Sequence, residues 1–111
     1  MLGHVNDTER VFQYRALWFA RGLTEPLPDF DQNICVAAAH SDDFPWAGHV
    51  EEFRTVRLST LTLFRKFSSD AWLRAGTASG NRFTVRAMAY IIAGHLSHHM
   101  AILQEKYLSL I

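Results

Sequence analysis

Apolar residues recur at three- and four-residue spacing over three long stretches of this chain, and no segment alternates long enough to suggest a strand. The first stretch covers residues 5–23. Val11, Tyr14 and Trp18 form one stripe, and Val5, Phe12, Ala16 and Phe19 form its neighbour. Asn6 or Asp7 is the expected cap, Asp7 and Glu9 suit the positive end of a helix, and Gly22 stands where the helix should stop. The second stretch, residues 47–67, presents Val50, Phe53, Val56, Leu61, Phe64 and Phe67, with Arg54, Arg57 and Arg65 near the edges of that face. The third begins after Thr84, a good cap, and runs to about Leu108. Its stripe is Met88, Ile91, Ile92, His95, His99, Ile102 and Leu103.

The connections carry the breakers. Residues 25–46 hold Pro26, Pro28 and Pro45 together with Asp29, Asp31, Asp42 and Asp43. They read as a long link with little regular structure beyond one short helical turn, and links of that length tend to be functional. Residues 71–82 form a second connection, with GTASGN as its most flexible part. The fold class is therefore all-α, a helical bundle within one domain spanning residues 1–111. Three long helices with wide apolar faces leave room for a fourth, supplied by a missing helix or by a second copy.

Composition narrows the setting. Eleven Lys and Arg balance eleven Asp and Glu, so charge gives no reason to expect a nucleic-acid or anionic-membrane partner. The single cysteine, Cys35, excludes a disulfide within the chain, suits a reducing cytoplasm and reads as a small apolar filler. The N-terminus lacks the basic and apolar regions of a signal peptide. The longest nearly uncharged run, residues 87–103, falls short of the roughly 20 apolar residues of a membrane span. A cytoplasmic location is expected.

Candidate chemistry sits in GHLSHHM, residues 94–100. His95 and His99 are four apart, on one helix face, which is the spacing at which two imidazoles chelate one divalent cation. His98 points roughly 60° from His95 and 100° from His99, on the flank. Two core imidazoles satisfied by neighbouring groups are the alternative. Both rings, however, lie in the apolar stripe, where each unpaired polar group costs on the order of 1–3 kcal/mol. One shared ion would answer both costs. His4, at the start of the first helix, offers a third ligand. Three protein ligands with an open position characterise catalytic sites. Asp7, three residues on, could orient His4, enter the coordination sphere or simply be an N-terminal helix charge. Glu9 reads as a surface or ion-pair residue, and His40 and His49 as solvated. Trp46 and Trp72 are expected to lid the core, Trp18 to lie in it and Tyr107 to pack terminally. Arg57 projects from an apolar helix, either into solvent or towards an ion pair or anion. No Ser-His-Asp set, phosphate loop or CxxC pair is present.

GHVNDTERVFQYRAL, PLPDFDQN and AGHLSHHMAILQEKYL together resemble the DinB-like (DinB/YfiT superfamily) proteins over nearly the whole chain. The resemblance implies a four-helix bundle with a divalent metal site, zinc or nickel, at positions matching His4, His95 and His99. It also implies frequent homodimers. The activities it suggests are metal-dependent hydrolysis of a small-molecule substrate or transfer reactions using a low-molecular-weight thiol. For the thiol chemistry Arg15 and Arg57 are candidate contacts, and Asp7 and His98 are the candidate bases or supporting groups. Family members carry a helix before the motif that here begins at Leu2, so an N-terminally truncated chain is expected. A non-catalytic metal- or ligand-binding bundle in stress response is the alternative, and a plain helical dimer without an ion is a third.

Overall fold

The structure is a computed structural model that describes the backbone of residues 1–106 and the side chains of residues 1–102. Its order is α1 (Leu2–Ala20), α2 (Gln32–Ala39), a 3₁₀ turn (Ser41–Asp43), α3 (Trp46–Arg65), α4 (Ser69–Leu73), β1 (Ala75–Ala78), β2 (Asn81–Thr84) and α5 (Val85–Lys106). The expected end at Leu108, the packing of Leu103 and the role of Tyr107 lie outside the described residues.

The three long helices are present, and α1 is the element on which the others pack. Both α3 and α5 lie against it, and among the described residues they hardly touch each other. Phe19, Ala16 and Ala20 of α1 meet Phe64 and Phe67 at the end of the second long segment and Val85, Met88 and Ile92 of α5 in one buried cluster. Trp72 closes that end against Phe64 and Phe67, with ring centroids 5.5 and 5.9 Å away. Trp46 does not lid the core; it is 55% exposed. Trp18 is partly buried against the cluster and donates its indole N–H to the Glu25 carbonyl.

Helix ends follow local chemistry. Residues Arg21, Gly22 and Leu23 close α1 with paired bonds from Gly22 N–H to the Phe19 carbonyl and from Leu23 N–H to Trp18, and Gly22 takes the left-handed φ of 77° that this closure needs. The Thr84 hydroxyl accepts from Ala87 N–H at the start of α5, as its position suggested. At the start of α1 the expectation fails. The helix opens at Leu2, not near Val5, and neither Asn6 nor Asp7 caps it. Asn6 is fully buried and donates to the His49 carbonyl and to Glu52 on α3.

Two connections are more regular than their sequences suggest. Within residues 25–46 the helix α2 forms because the Asp31 carboxylate accepts from the N–H groups of Asn33 and Ile34, while His40 ends it in a left-handed conformation. The segment GTASGN is a β-hairpin, with Ser79 and Gly80 both at positive φ in a two-residue turn. Leu27 joins β1 through bonds with Thr77 and Ser79. Strands of four residues are too short for alternation to show, and the inward face of β1 is made of Ala78 and Gly76, which no hydrophobicity pattern flags. Gly76 lies so close to Phe19 that any Cβ would overlap the ring.

Candidate metal centre

The apolar period of α5 that turns Met88 and Ile92 into the core carries His95 and His99 to the same side, facing the first two turns of α1. The rings of His95 and His99 stack edge-on at 4.5 Å between centroids, and their Nε2 atoms are 3.1 Å apart. His4 completes the group from α1, with its ring 5.4 Å from His95 and 5.1 Å from His99. Each of the three offers a nitrogen within 4.8 Å of the others. The chain thus brings together residues 4, 95 and 99, as the sequence led us to expect.

Neighbouring groups hold the rings. The Thr8 hydroxyl lies 3.4 Å from His4 Nδ1, one helical turn on. Phe12 packs edge-on against His95 at 5.8 Å and supplies an apolar wall. The Nδ1 atom of His99 is buried and has no hydrogen-bond partner among the described residues. His98 is exposed, with its ring 5.5 Å from His99, so it flanks the group. Asp7 is half-buried and makes no hydrogen bond to His4 among the described residues, although its charge favours the protonated ring. Thr8 is the residue the sequence reading missed. Its position four residues after His4, on the same face, was the available signal.

Loss of water governs the electrostatics. Desolvation, followed by the mutual repulsion of His99, His4 and His98, drives the His95 pKa down to about 4, against a small opposing effect of Glu9. Desolvation also lowers His4 and His99, each helped by the nearby positive amino terminus. All three rings are consequently neutral near pH 7, each with one unprotonated nitrogen, the form in which imidazole binds a metal. Two ligands about 2.1 Å from one ion lie roughly 3–3.4 Å apart, so the His95–His99 separation suits shared coordination.

The remaining candidates turn elsewhere. Glu9 is not at the surface. It is 3% exposed, takes two bonds from the Arg57 guanidinium at 3.0 and 2.7 Å, and accepts a third from Thr60. Arg57 is thereby committed to a protein carboxylate. Arg15 is buried and donates from Nη2 to the Pro28 carbonyl and to Ser79 Oγ. Neither arginine lines the cavities next to His4. His49 is not solvated but bonds through Nε2 to the Ser41 carbonyl at 2.8 Å, while His40 is exposed.

Two kinds of space adjoin the histidines. A polar cavity of 520 Å³ between α1, α2 and the 3₁₀ turn includes His4 and Asp7 in its wall. On the other side an apolar groove separates α3 from α5, with cavities of 200 and 260 Å³; the first is walled by Val5, Val50, Phe53 and His99, the second by Leu61, Phe64 and Ile92. Val50 and Leu61 are 45% and 40% exposed there, although the periodicity placed them on a core face. No helix among the described residues is long and apolar enough to cross a membrane.

Neither a curated protein nor a solved structure matches the chain significantly. A family model described as the DinB superfamily matches residues 1–103, the span that holds the helices, the hairpin and all three convergent histidines, and the chain belongs to that superfamily.

Proposed function

We propose that His4, His95 and His99 hold one divalent cation, zinc or nickel, and that the chain is a metal-dependent hydrolase acting on a small molecule. The carrying observation is the convergence of three neutral imidazoles from two helices, two of them with Nε2 atoms 3.1 Å apart. A bound ion would supply Lewis acidity at its open position, lowering the pKa of a water or a thiol donated there. The residues of the chain do the rest. Thr8 fixes the tilt of the His4 ring, and Phe12 excludes water from His95. Asp7, in the wall of the polar cavity beside His4, is the group best placed to accept a proton. His98, exposed on the flank, can exchange protons with solvent.

Transfer using a low-molecular-weight thiol is the second reading. It has less support, because Arg15 and Arg57 spend donors on Ser79 and Glu9 rather than on an anionic cofactor. The non-catalytic alternative keeps the same ion without turnover. The apolar groove between α3 and α5 favours a homodimer in which a second copy covers that face, and a cytoplasmic location agrees with the single unpaired cysteine.

The test is metal analysis of protein purified without a histidine tag. One equivalent per chain, lost in His99→Ala, is the expected result, and less than about a tenth of an equivalent would leave the histidines as core groups bonded to each other. Restoration of ester or amide hydrolysis by added metal would separate the hydrolase from the non-catalytic bundle.

A further inference from the structure

Eleven cations and eleven carboxylates balance over the chain, but the fold separates them along the bundle. Away from the histidines, the ends of α1, α3 and α4 and the start of α5 gather around one buried cluster. Two bonds tie them further: Arg74 Nη1 donates to the Ala20 carbonyl at 2.6 Å, and Val85 N–H to the Arg74 carbonyl at 2.9 Å. This end carries Arg21, Arg65, Lys66, Arg74, Arg82 and Arg86, all exposed. Its acids are Glu25 and Asp70, while Asp29 near the hairpin turn is offset by Arg15. Among the described residues no ion pair engages any of the six cations. The exposed Asp42 and Asp43 lie at the opposite end, with His4. Apolar side chains stand out among the cations. Leu73 is 71% exposed and Tyr90 68%. They share the wall of an open 570 Å³ cavity with Arg86, whose guanidinium lies 5.9 Å from the Tyr90 ring centroid.

We propose that this end of the bundle docks on an anionic lipid bilayer, with its basic side chains on the headgroups and Leu73 in the acyl boundary. The inference is independent of the metal reading. An aliphatic side chain held in water and flanked by cations matches the layered chemistry of such a surface: lipid phosphates take the guanidinium groups, and the hydrocarbon edge takes the leucine. Each Lys or Arg brought to an anionic leaflet strengthens binding by about fivefold, so six unpaired cations against two carboxylates suffice for attraction. The same leaflet repels Asp42 and Asp43, which turns the histidine end towards solvent. A nucleic-acid duplex would use the cations equally well but offers Leu73 no apolar layer. Arg86 already lies over the Tyr90 ring, which leaves less of it for a base to stack on.

The test is co-sedimentation of the full chain with vesicles of phosphatidylcholine alone and of an equal mixture of phosphatidylcholine and phosphatidylglycerol. Binding to the mixed vesicles, absent with the neutral ones and weakened by added salt, is expected. Arg82→Gln/Arg86→Gln should weaken it by about tenfold to twentyfold. Leu73→Ser, which leaves the charge unchanged, should weaken it by about tenfold. Neither variant breaks an ion pair among the described residues, Leu73 is exposed, and preserved helical circular dichroism checks the fold. A chain that stays in the supernatant with the mixed vesicles overturns the inference, as does equal binding to both kinds of vesicle. Binding that either variant leaves within twofold of the native value also overturns it. Displacement from the mixed vesicles by a mixed-sequence DNA duplex that holds the native and Leu73→Ser chains equally well would overturn it too, and would make this end a nucleic-acid surface.

Discussion

His95 and His99 face each other one helical turn apart, with their Nε2 atoms at 3.1 Å, and the metal-free protein can keep that pair only while at least one ring is neutral. The His95 pKa, lowered from 6.5 to about 4 by desolvation first and by the neighbouring imidazoles second, expresses the same constraint. In the unfolded chain this ring titrates near 6.5. Below that pH the unfolded state takes up a proton that the folded state refuses, so stability falls as pH falls. The contribution is complete above about pH 6.5 and is lost progressively towards pH 4. His4 and His99, also lowered, add in the same direction. Denaturant midpoints of the metal-free protein should drop across that window, and His95→Gln should flatten the slope. A midpoint that rises on acidification would contradict the burial of these rings.

The sequence made the long helices legible because each is long enough for a 3.6-residue period to show above noise, and His95 and His99 were legible because they interrupt such a period. His4 could be paired with them only through a contact across ninety residues, which the motif resemblance suggested and the packing of α1 on α5 realises. The hairpin was not legible. Its four-residue strands carry one inward methyl and one inward hydrogen, Ala78 and Gly76, so the hydrophobic signal that marks a strand is missing. The partners of Glu9 and Arg57 were equally hidden. They lie 48 residues apart, and nothing local distinguishes a buried pair from two solvated charges.

Gly76→Ala is expected to be costly for the same reason that the hairpin was invisible. The added methyl would overlap the ring of Phe19, which is fully buried and cannot swing away without opening the core. Overpacking of this kind costs about 1–3 kcal/mol. Thermal unfolding should show the loss directly, and Phe19→Leu in the same chain should recover part of it by vacating the space. A Gly76→Ala variant as stable as the parent would mean that β1 does not press on α1 as described.

The Glu9–Arg57 pair joins α1 to α3 through a carboxylate whose side chain is only 4% exposed. Arg57→Ala would leave that carboxylate with Thr60 as its one remaining donor among the described residues. Removing one partner of a buried pair typically costs about 3–5 kcal/mol. Because Arg57 is itself 26% exposed, the lower end of that range is expected. The double replacement Glu9→Gln/Arg57→Met removes the stranded charge and should be clearly more stable than Arg57→Ala alone. Chemical denaturation of the two variants measures the difference, and equal losses would show that the pair contributes contact area only.

The groove between α3 and α5 sets the last expectation. A helix in a bundle normally meets two neighbours, yet α3 and α5 meet mainly α1. The face they leave is apolar, with Val50 and Leu61 nearly half exposed and Arg57 as its one charged wall residue among the described residues. Contiguous apolar surface of this kind is covered in stable proteins, and pairing of two copies across it would do so with the residues already present. Leu61→Arg places a second cation on that face in both copies at a position that is 40% exposed and lines the α3–α5 groove. Light scattering should report a dimer for the native chain and a monomer for the variant, with helical circular dichroism preserved in both. A native chain that stays monomeric at micromolar concentration would mean that α1, α3 and α5 hold together with one face open to water.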